Sequence, residues 1–445
     1  DVIIEIDAGT YTGTGNWEQT INGNFNSLII RAAQGAKVIF DGNHAHRLLT
    51  IDHPNVKIEG ITFINGNTST NDGGVCISIG GRAHDIVIDK CNFTNNGNPS
   101  GTYGGAIRVN YEVEQHIFRP DTYYYAHDIN ITNCYFENNT ANVGGSIRSE
   151  QGTYSISVIN CTGVNNKATT HGGFACLFSD DTTIDNCTLK YNSAPSSGAV
   201  HCHSGNVTVK NCTFVNNSAI GGGTNATNGY AGALGLVYAG SPGVTVLDSH
   251  FYNNTAVNDG GAVQVMGTGR DAKIINSDFE NNTAAYGGAV SIKGTNTVIT
   301  DSNFTDCNAS QYGGAVQVIG SGTNINNCNF EENNALPDED KKDDGLGGAV
   351  YIQGTNCHVT DSNFTHNTAR NGSAIYVNPN GTGDNYINNC VFVENQAWVY
   401  WLPILYDNET HKIETNLTGG NNILNAIYNN GSNRRLYIND TNPVL

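Results

Sequence analysis

Long apolar runs are missing from this 445-residue chain: no stretch of 18 apolar residues occurs, so no bilayer-spanning helix can be drawn. Basic residues are few. Lys and Arg number 21 against 40 Asp and Glu, and the net charge of −19 excludes nucleic acid and anionic membrane surfaces as natural partners. Charged residues make up only 14% of the chain, so the acidic excess reads as solubility and not as a charged tail. Methionine occurs once, and leucine is scarce. The L-x-x-L-x-L core of a leucine-rich repeat is absent with it. No Cys-x-x-Cys pair occurs, which argues against a zinc site. No Gly-x-Gly-x-x-Gly or P-loop stands between a strand and a helix, so no nucleotide loop is expected. The first residue is Asp1, with no basic or apolar leader behind it; a removed signal peptide and a trimmed fragment both fit that start.

What the chain does have is Gly (53 residues), Asn and a repeat. Residues 277–292 read S-D-F-E-N-N-T-A-A-Y-G-G-A-V-S-I, and the same order recurs around Phe251, Phe304 and Phe330. Successive Phe residues 251, 279, 304 and 330 are 28, 25 and 26 positions apart. A period of that size marks a solenoid. Each unit holds an alternating run such as Ile86-x-Ile88-x-x-Cys91-x-Phe93 or Val244-x-Val246-x-x-Ser249-x-Phe251. Period two means strands with one face inward. Five places after the Cys/Ser position stands an Asn column: Asn96, Asn139, Asn166, Asn192, Asn217, Asn254, Asn282, Asn333, Asn367 and Asn395, broken only by Cys307. Asn tolerates left-handed backbone, and stacked amides can bond the copies above and below. A third strand follows Gly-Gly, with Val263/Val265, Val290/Ile292 and Val316/Val318 inward.

Three short strands and three turns in about 25 residues predict an all-β fold: a single right-handed parallel β-helix, a three-sheet solenoid of about twelve regular coils with terminal caps. A kelch-like propeller fails, since a blade needs about 50 residues. The expected divisions are an N-terminal cap with irregular first coils over 1–55, a regular β-helix over 56–396, and an aromatic-rich C-terminal cap over 397–445. Insertions are expected at 111–127, 220–230 and 336–346.

Cys91, Cys134, Cys161, Cys187 and Cys212 hold one position in five successive coils, where Ser249, Ser277 and Ser302 stand later. Parallel stacked side chains do not face each other as a disulfide requires, so a buried thiol column is expected. Asn-x-Ser/Thr triplets are frequent by-products of the repeat; the corner copies at Asn160, Asn186 and Asn211 are glycosylation candidates if the chain is exported.

Positions expected to face outward on the Gly-Gly strand are bland in the later coils: Gly235, Gln264, Ser291, Gln317, Tyr351 and Tyr376. The earlier coils show Arg108, Arg148, Cys176 and His201, and two places on Asn110, Glu150, Phe178 and His203. The insertion carrying Tyr123, Tyr124 and Tyr125 leaves the same strand and is expected to wall that face. Aromatics with Arg, Glu and His suit a carbohydrate groove, by stacking and charge-assisted hydrogen bonds. The bland alternative is a solvated face beneath a decorative loop. Glycoside hydrolysis needs two facing carboxylates; Glu150 and the pair Asp180 and Asp181 are the candidates, without a column of acids to support them. For a lyase, Arg108 and Arg148 are candidate bases, but no clear metal ligands flank them. The acidic loop 337–344 could hold Ca²⁺, though a solvated loop explains it as well. No catalytic residue, metal ligand or cofactor is assigned.

The unit Cys-x-Phe-x-Asn-Asn-x-x-Ala…Gly-Gly-Ala resembles the repeats of adhesin-like surface proteins of methanogenic archaea. So do the Ala8-Gly-Thr-Tyr-Thr-Gly13 opening, the Ile61-Thr-Phe-Ile-Asn-Gly66 segment and the ending at 422–428. Gly-Gly-Ala-Val with Phe-x-x-Asn is similar to the paired motifs of chlamydial polymorphic membrane proteins. The similarity covers nearly the whole chain, and its specific part is the ordered repetition. It implies an extracellular module at a cell surface or cell wall, mediating attachment to glycans or a partner cell without catalysis. It transfers no catalytic residues. The alternatives are a polysaccharide lyase or hydrolase on the same scaffold, and a subunit of a self-assembling sheath or fibre built by homotypic stacking. Coils with Gly163 or Leu189 at the Phe position depart from the pattern and adjoin the charged face.

Overall fold

The computed structural model describes residues 1–68, 73–101, 103–116, 119–222, 229–237, 243–337, 345–378 and 384–397, with the backbone of Ile427–Asn429 and Leu436–Asn439. The regular elements described are all strands, and the fold is a parallel β-helix. Two compact units are built on Asp1–Ser218 and on Thr227–Leu445.

In the first unit the alternating runs pair in parallel, coil on coil. Val2–Ile6, Leu28–Ala32, Val56–Glu59, His84–Asp89, His127–Thr132 and Tyr154–Ile159 form one continuous ladder. A second carries the Phe positions of Ile61–Ile64, Asn92–Thr94 and Tyr135–Glu137. The third is the Gly-Gly strand: Gln19–Ile21, Leu49–Ile51, Ile77–Ile79, Ile107–Val109, Ile147–Ser149, Ala175–Leu177 and Val200–Cys202. The second unit repeats the arrangement, its Gly-Gly ladder running from Leu234–Leu236 through Val263–Val265 to Ile375–Val377 and Ile427–Asn429. Thus two stretches of the segment read as a C-terminal cap, Ile427–Asn429 and Leu436–Asn439, continue the parallel ladders. The aromatic run 398–406 and the acidic run 338–344 lie outside the described residues.

A fourth, narrow ladder adds to the three expected. It is made of short strands, such as Lys167–His171 and Ser193–Ala194 in the first unit and Thr255–Ala256 and Asn308–Tyr312 in the second. The buried Asn file creates it. Asn282 Oδ1 accepts both the backbone N–H of Asn254 (2.9 Å) and its side-chain Nδ2 (3.1 Å), while Asn282 Nδ2 donates to the carbonyl of Phe251 (2.8 Å). That chain of amides holds the coils in register at the corner, so the next residue pairs as well. The left-handed backbone falls one residue earlier than expected: Asn138, Asn165, Asn253 and Asn281 carry φ of 55°, 55°, 55° and 52°. In each Asn-Asn pair the first residue turns the chain and the second is the buried amide.

Inside, like side chains stack in files. In the second unit, Phe251, Phe279, Phe304, Phe330 and Phe364 lie with ring centroids 4.8 Å apart at each step. In the first, Phe63, Phe93 and Phe136 do so at 5.1 and 4.9 Å. Gly163 interrupts that file, and Phe174 from the Gly-Gly turn fills the gap. Its ring meets Phe136 edge-on at 5.5 Å, and a Cβ on Gly163 would lie 2.5 Å from it. All twelve cysteines are free and buried. Cys134 and Cys161 donate to the carbonyls two residues before them at 3.1 and 3.2 Å, as Ser277 and Ser302 do at 2.9 Å, so thiol and hydroxyl do the same work. In Gly260-Gly261 the first residue has φ +64°, and a Cβ on the second would sit 2.0 Å from the next coil's Gly288 carbonyl, which is why both are glycine.

Candidate functional site

The Gly-Gly strands of the first unit place Arg108, Arg148, Cys176 and His201 directly over one another. Each follows an inward residue, so each points away from the core. They are nevertheless largely covered: the side chains of Arg108 and Arg148 are 15% and 13% exposed, and Cys176 and His201 are buried. The face read as solvated is therefore a covered, ordered layer. The same holds in the second unit, where Gln264, Ser291, Gln317, Tyr351 and Tyr376 are all buried. There, Ser291 bonds Gln317 at 3.0 Å and Tyr312, Tyr351 and Tyr376 stack.

Glu150 ties the two arginines together. Arg148 grips it with two bonds, Nε to Oε1 at 2.8 Å and Nη2 to Oε2 at 3.0 Å. Arg108 adds Nε and Nη2 on Oε1 at 2.9 and 2.8 Å. Burial opposes ionisation of Glu150 most strongly, yet the hydrogen bonds and charges of Arg148 and Arg108 together outweigh it and hold its carboxyl below the usual range. Two aromatic residues cover the pair. The Arg148 guanidinium carbon lies 4.5 Å from the Tyr103 ring centre and 4.9 Å from that of Phe178, and Arg108 sits 5.3 Å from Tyr103.

A histidine cluster continues the layer. His171 stacks on His201 at 4.8 Å, and His203 stacks on Phe178 at 4.6 Å. Burial first, then neighbouring imidazoles and Arg148, push the pKa of His201 well below its ordinary value; His171 shifts the same way. Ser197 stands where the two preceding coils have Gly144 and Gly172, keeps a φ of +56°, and places its Oγ 2.9 Å from His201 Nδ1.

Arg108, Arg148 and Glu150 thus come together, with His201 and His203 beside them. Tyr123, Tyr124 and Tyr125 go elsewhere. Tyr111–Glu114 and Thr122–Tyr125 form an antiparallel hairpin laid over the neighbouring turns: a Cβ on Gly81 would meet the Tyr124 carbonyl at 2.4 Å, and one on Gly152 the Tyr125 ring at 2.2 Å. Arg82 covers Tyr124 at 4.3 Å and pairs with Glu112 at 3.0 Å. Asn110 serves the base of that hairpin, accepting from Ala126 and donating to Ser78 at 3.0 Å. Tyr103, His171 and Ser197 were not singled out in the sequence. They precede the strand by a few residues, and only the turn geometry shows that they fold back over it.

The arrangement suits binding better than proton transfer. A general acid needs a raised pKa, and Glu150 has a lowered one. Asp180 and Asp181 are exposed at the following corner, where the Asn206 amide donates to Asp181. Among the described residues no group of three His, Cys, Asp or Glu is placed to hold a metal ion, and no helix is long and apolar enough to cross a membrane. Asn160, Asn186 and Asn211 are exposed corner residues. Their amides form a ladder, Asn160 donating to Asn133 at 2.6 Å, Asn186 to Asn160 at 3.0 Å and Asn211 to Asp185 at 2.8 Å.

No family model matches the chain, and no curated protein matches it in sequence. Some solved structures are distantly similar to it. The A-module of the Azotobacter vinelandii mannuronan C-5 epimerase AlgE4 is similar with a TM-score of 0.44 and 10% identity, over 84% of this chain and 89% of that one. A PL6 alginate lyase in complex with a trisaccharide gives 0.43 and 11%, over 82% and 79%. The catalytic domain of a GH87 α-1,3-glucanase in complex with nigerose gives 0.42 and 10%, and this chain, matched over 88% of its own length, spans 61% of it. Likenesses this distant carry no residue role across.

Proposed function

We propose that this protein is a glycan-binding β-helix module acting in attachment at a cell surface, in keeping with its resemblance to adhesin-like surface proteins. The observation that carries the reading is the covered Gly-Gly strand face of the first unit. Tyr103, Phe178 and His203 offer partly exposed ring surfaces around Arg148 and an ionised Glu150, and each is held by its neighbours before any ligand arrives. Flat apolar rings beside fixed charged donors and acceptors are what a pyranose needs: stacking for its C–H face and hydrogen bonds for its hydroxyls. The test is binding of the purified chain to an array of polysaccharides, paired with assays for new reducing ends and unsaturated products. Binding without turnover is expected. Phe178→Ala with His203→Ala should weaken it roughly tenfold, the size of one lost stacking contact. Product release would favour the lyase or hydrolase reading; absence of all glycan binding would end both.

One observation favours end-to-end association as a second reading. Among the described residues strand Val2–Ile6 pairs with Leu28–Ala32 alone, and Val2, Ile3 and Ile4 are 42%, 56% and 45% exposed. An apolar edge of this kind receives another strand, from a preceding coil of a longer chain or from a second copy. Concentration-dependent oligomers or filaments that vanish in Ile3→Lys would support it; a monomer at all concentrations would not.

A further inference from the structure

We infer that the glycan taken by the Arg108–Arg148 face is an acidic one, held through a carboxylate or sulfate oxyanion on the outer nitrogens of these two arginines. The inference rests on the binding reading above and names its ligand class.

Charge counting at the site leads there. Two guanidiniums share one carboxylate. Among the described residues, Glu150 is the carboxylate bonded to Arg148, and Arg148 and Arg108 are the charges that lower its pKa. The Cys176 thiol, which also acts on Arg148, is pushed by burial up to about 12 and stays uncharged. The flanking imidazoles of His171 and His201 are held neutral, so they neither add to nor offset the sum. One positive charge is left over in a layer whose side chains are only 13–15% exposed.

Geometry says where a counter-charge would go. Both arginines spend Nε and Nη2 on Glu150. Neither Nη1 has a protein partner among the described residues. Tyr103 and Phe178 both pack against the Arg148 guanidinium, at 4.5 and 4.9 Å, which leaves its unpartnered Nη1 for a ligand. The edge of a guanidinium is where an oxyanion binds, through in-plane N–H groups. Arg108 and Arg148 are paired residues of adjacent coils and share Glu150 Oε1, so their guanidiniums lie close together. A sugar carboxylate can meet both while its ring rests on Tyr103 or Phe178. The chain as a whole carries −19 and repels polyanions, which makes this local excess a selective feature and not a general stickiness.

The experiment compares three probes on the full chain: oligogalacturonate, the same oligomer methyl-esterified, and a sulfated oligogalactan. The acidic oligomer should bind at least about tenfold more tightly than its ester, the worth of one charge-assisted hydrogen bond, with affinity falling as salt rises. Preference for the sulfated oligomer over both others supports the same oxyanion site with a sulfate ester as its source. Arg108→Gln leaves the neutral Arg148–Glu150 pair in place; it should erase the preference for acid over ester. Glu150→Gln removes the one counter-charge, leaves both arginines uncompensated and should tighten the acidic oligomer several-fold, a gain that misfolding cannot mimic. Equal binding of acid and ester overturns the inference and leaves the glycan reading standing. Failure of all three probes, with failure on a wide neutral array, removes both.

Discussion

At the scale of single residues, two files of side chains carry the coil. The Asn file is the more demanding, because each amide serves three partners. Asn282→Ala removes one bond each to the Asn254 backbone N–H, the Asn254 side-chain amide and the Phe251 carbonyl, all in buried residues. At roughly 1 kcal/mol for each buried hydrogen bond lost, the loss should be about 3 kcal/mol in a urea titration. A loss under about 1 kcal/mol would mean the file is ornamental. The thiol file should be far more tolerant. Cys161→Ser keeps the bond to the Ile159 carbonyl that Ser277 makes to Ile275, and a near-isosteric swap should cost under about 1.5 kcal/mol. Protons give a further test. His201 titrates lower in the folded chain than the ordinary value of 6.5, so below about pH 6.5 the unfolded chain takes up a proton the folded one refuses. Stability therefore falls as pH drops. Glu150 acts in the same direction further down: its stabilisation is full above the ordinary value of 4.5 and is lost as pH falls through its lower folded value. The melting temperature should decline from pH 7.5 to 5, and His201→Gln should flatten the upper part of that decline. A flat wild-type profile would contradict the placement of the cluster.

At the scale of the element, the coil at Gly163 shows how the pattern is repaired. Phe174 reaches across from the Gly-Gly turn to fill the place a column Phe would take. Gly163→Phe alone should overpack and destabilise by about 1–3 kcal/mol, while Gly163→Phe with Phe174→Ala should recover most of that loss. Additive effects in the double variant would show that the two sites do not share one cavity. This coil also marks what was legible beforehand. The strands, the Phe and thiol files and the buried Asn amides follow from period and spacing alone, since parallel stacking forces equal residues into contact. The fourth ladder did not, because it depends on which of two adjacent Asn residues turns the chain. The covered state of Arg108 and Arg148 was equally hidden. Alternation tells which residues point away from the core, but not that Tyr103 and Phe178 fold over them. The Tyr111–Glu114 hairpin left the right strand, yet settled on Gly81 and Gly152, where the absence of a Cβ lets it approach.

At the scale of the molecule, a solenoid offers long, regular faces, and function resides where the regularity is broken. In the first unit the break is chemical: two arginines, one glutamate and three imidazoles in place of the Gln, Ser and Tyr layer of the second. The proposed attachment role depends on that layer receiving a sugar. A crystal structure of the chain soaked with an acidic oligosaccharide tests this most directly. The account predicts a pyranose ring against Tyr103 or Phe178, with its oxyanion within about 3 Å of the free nitrogens of Arg108 and Arg148. Sugar density on another face, with these nitrogens bare, would contradict it.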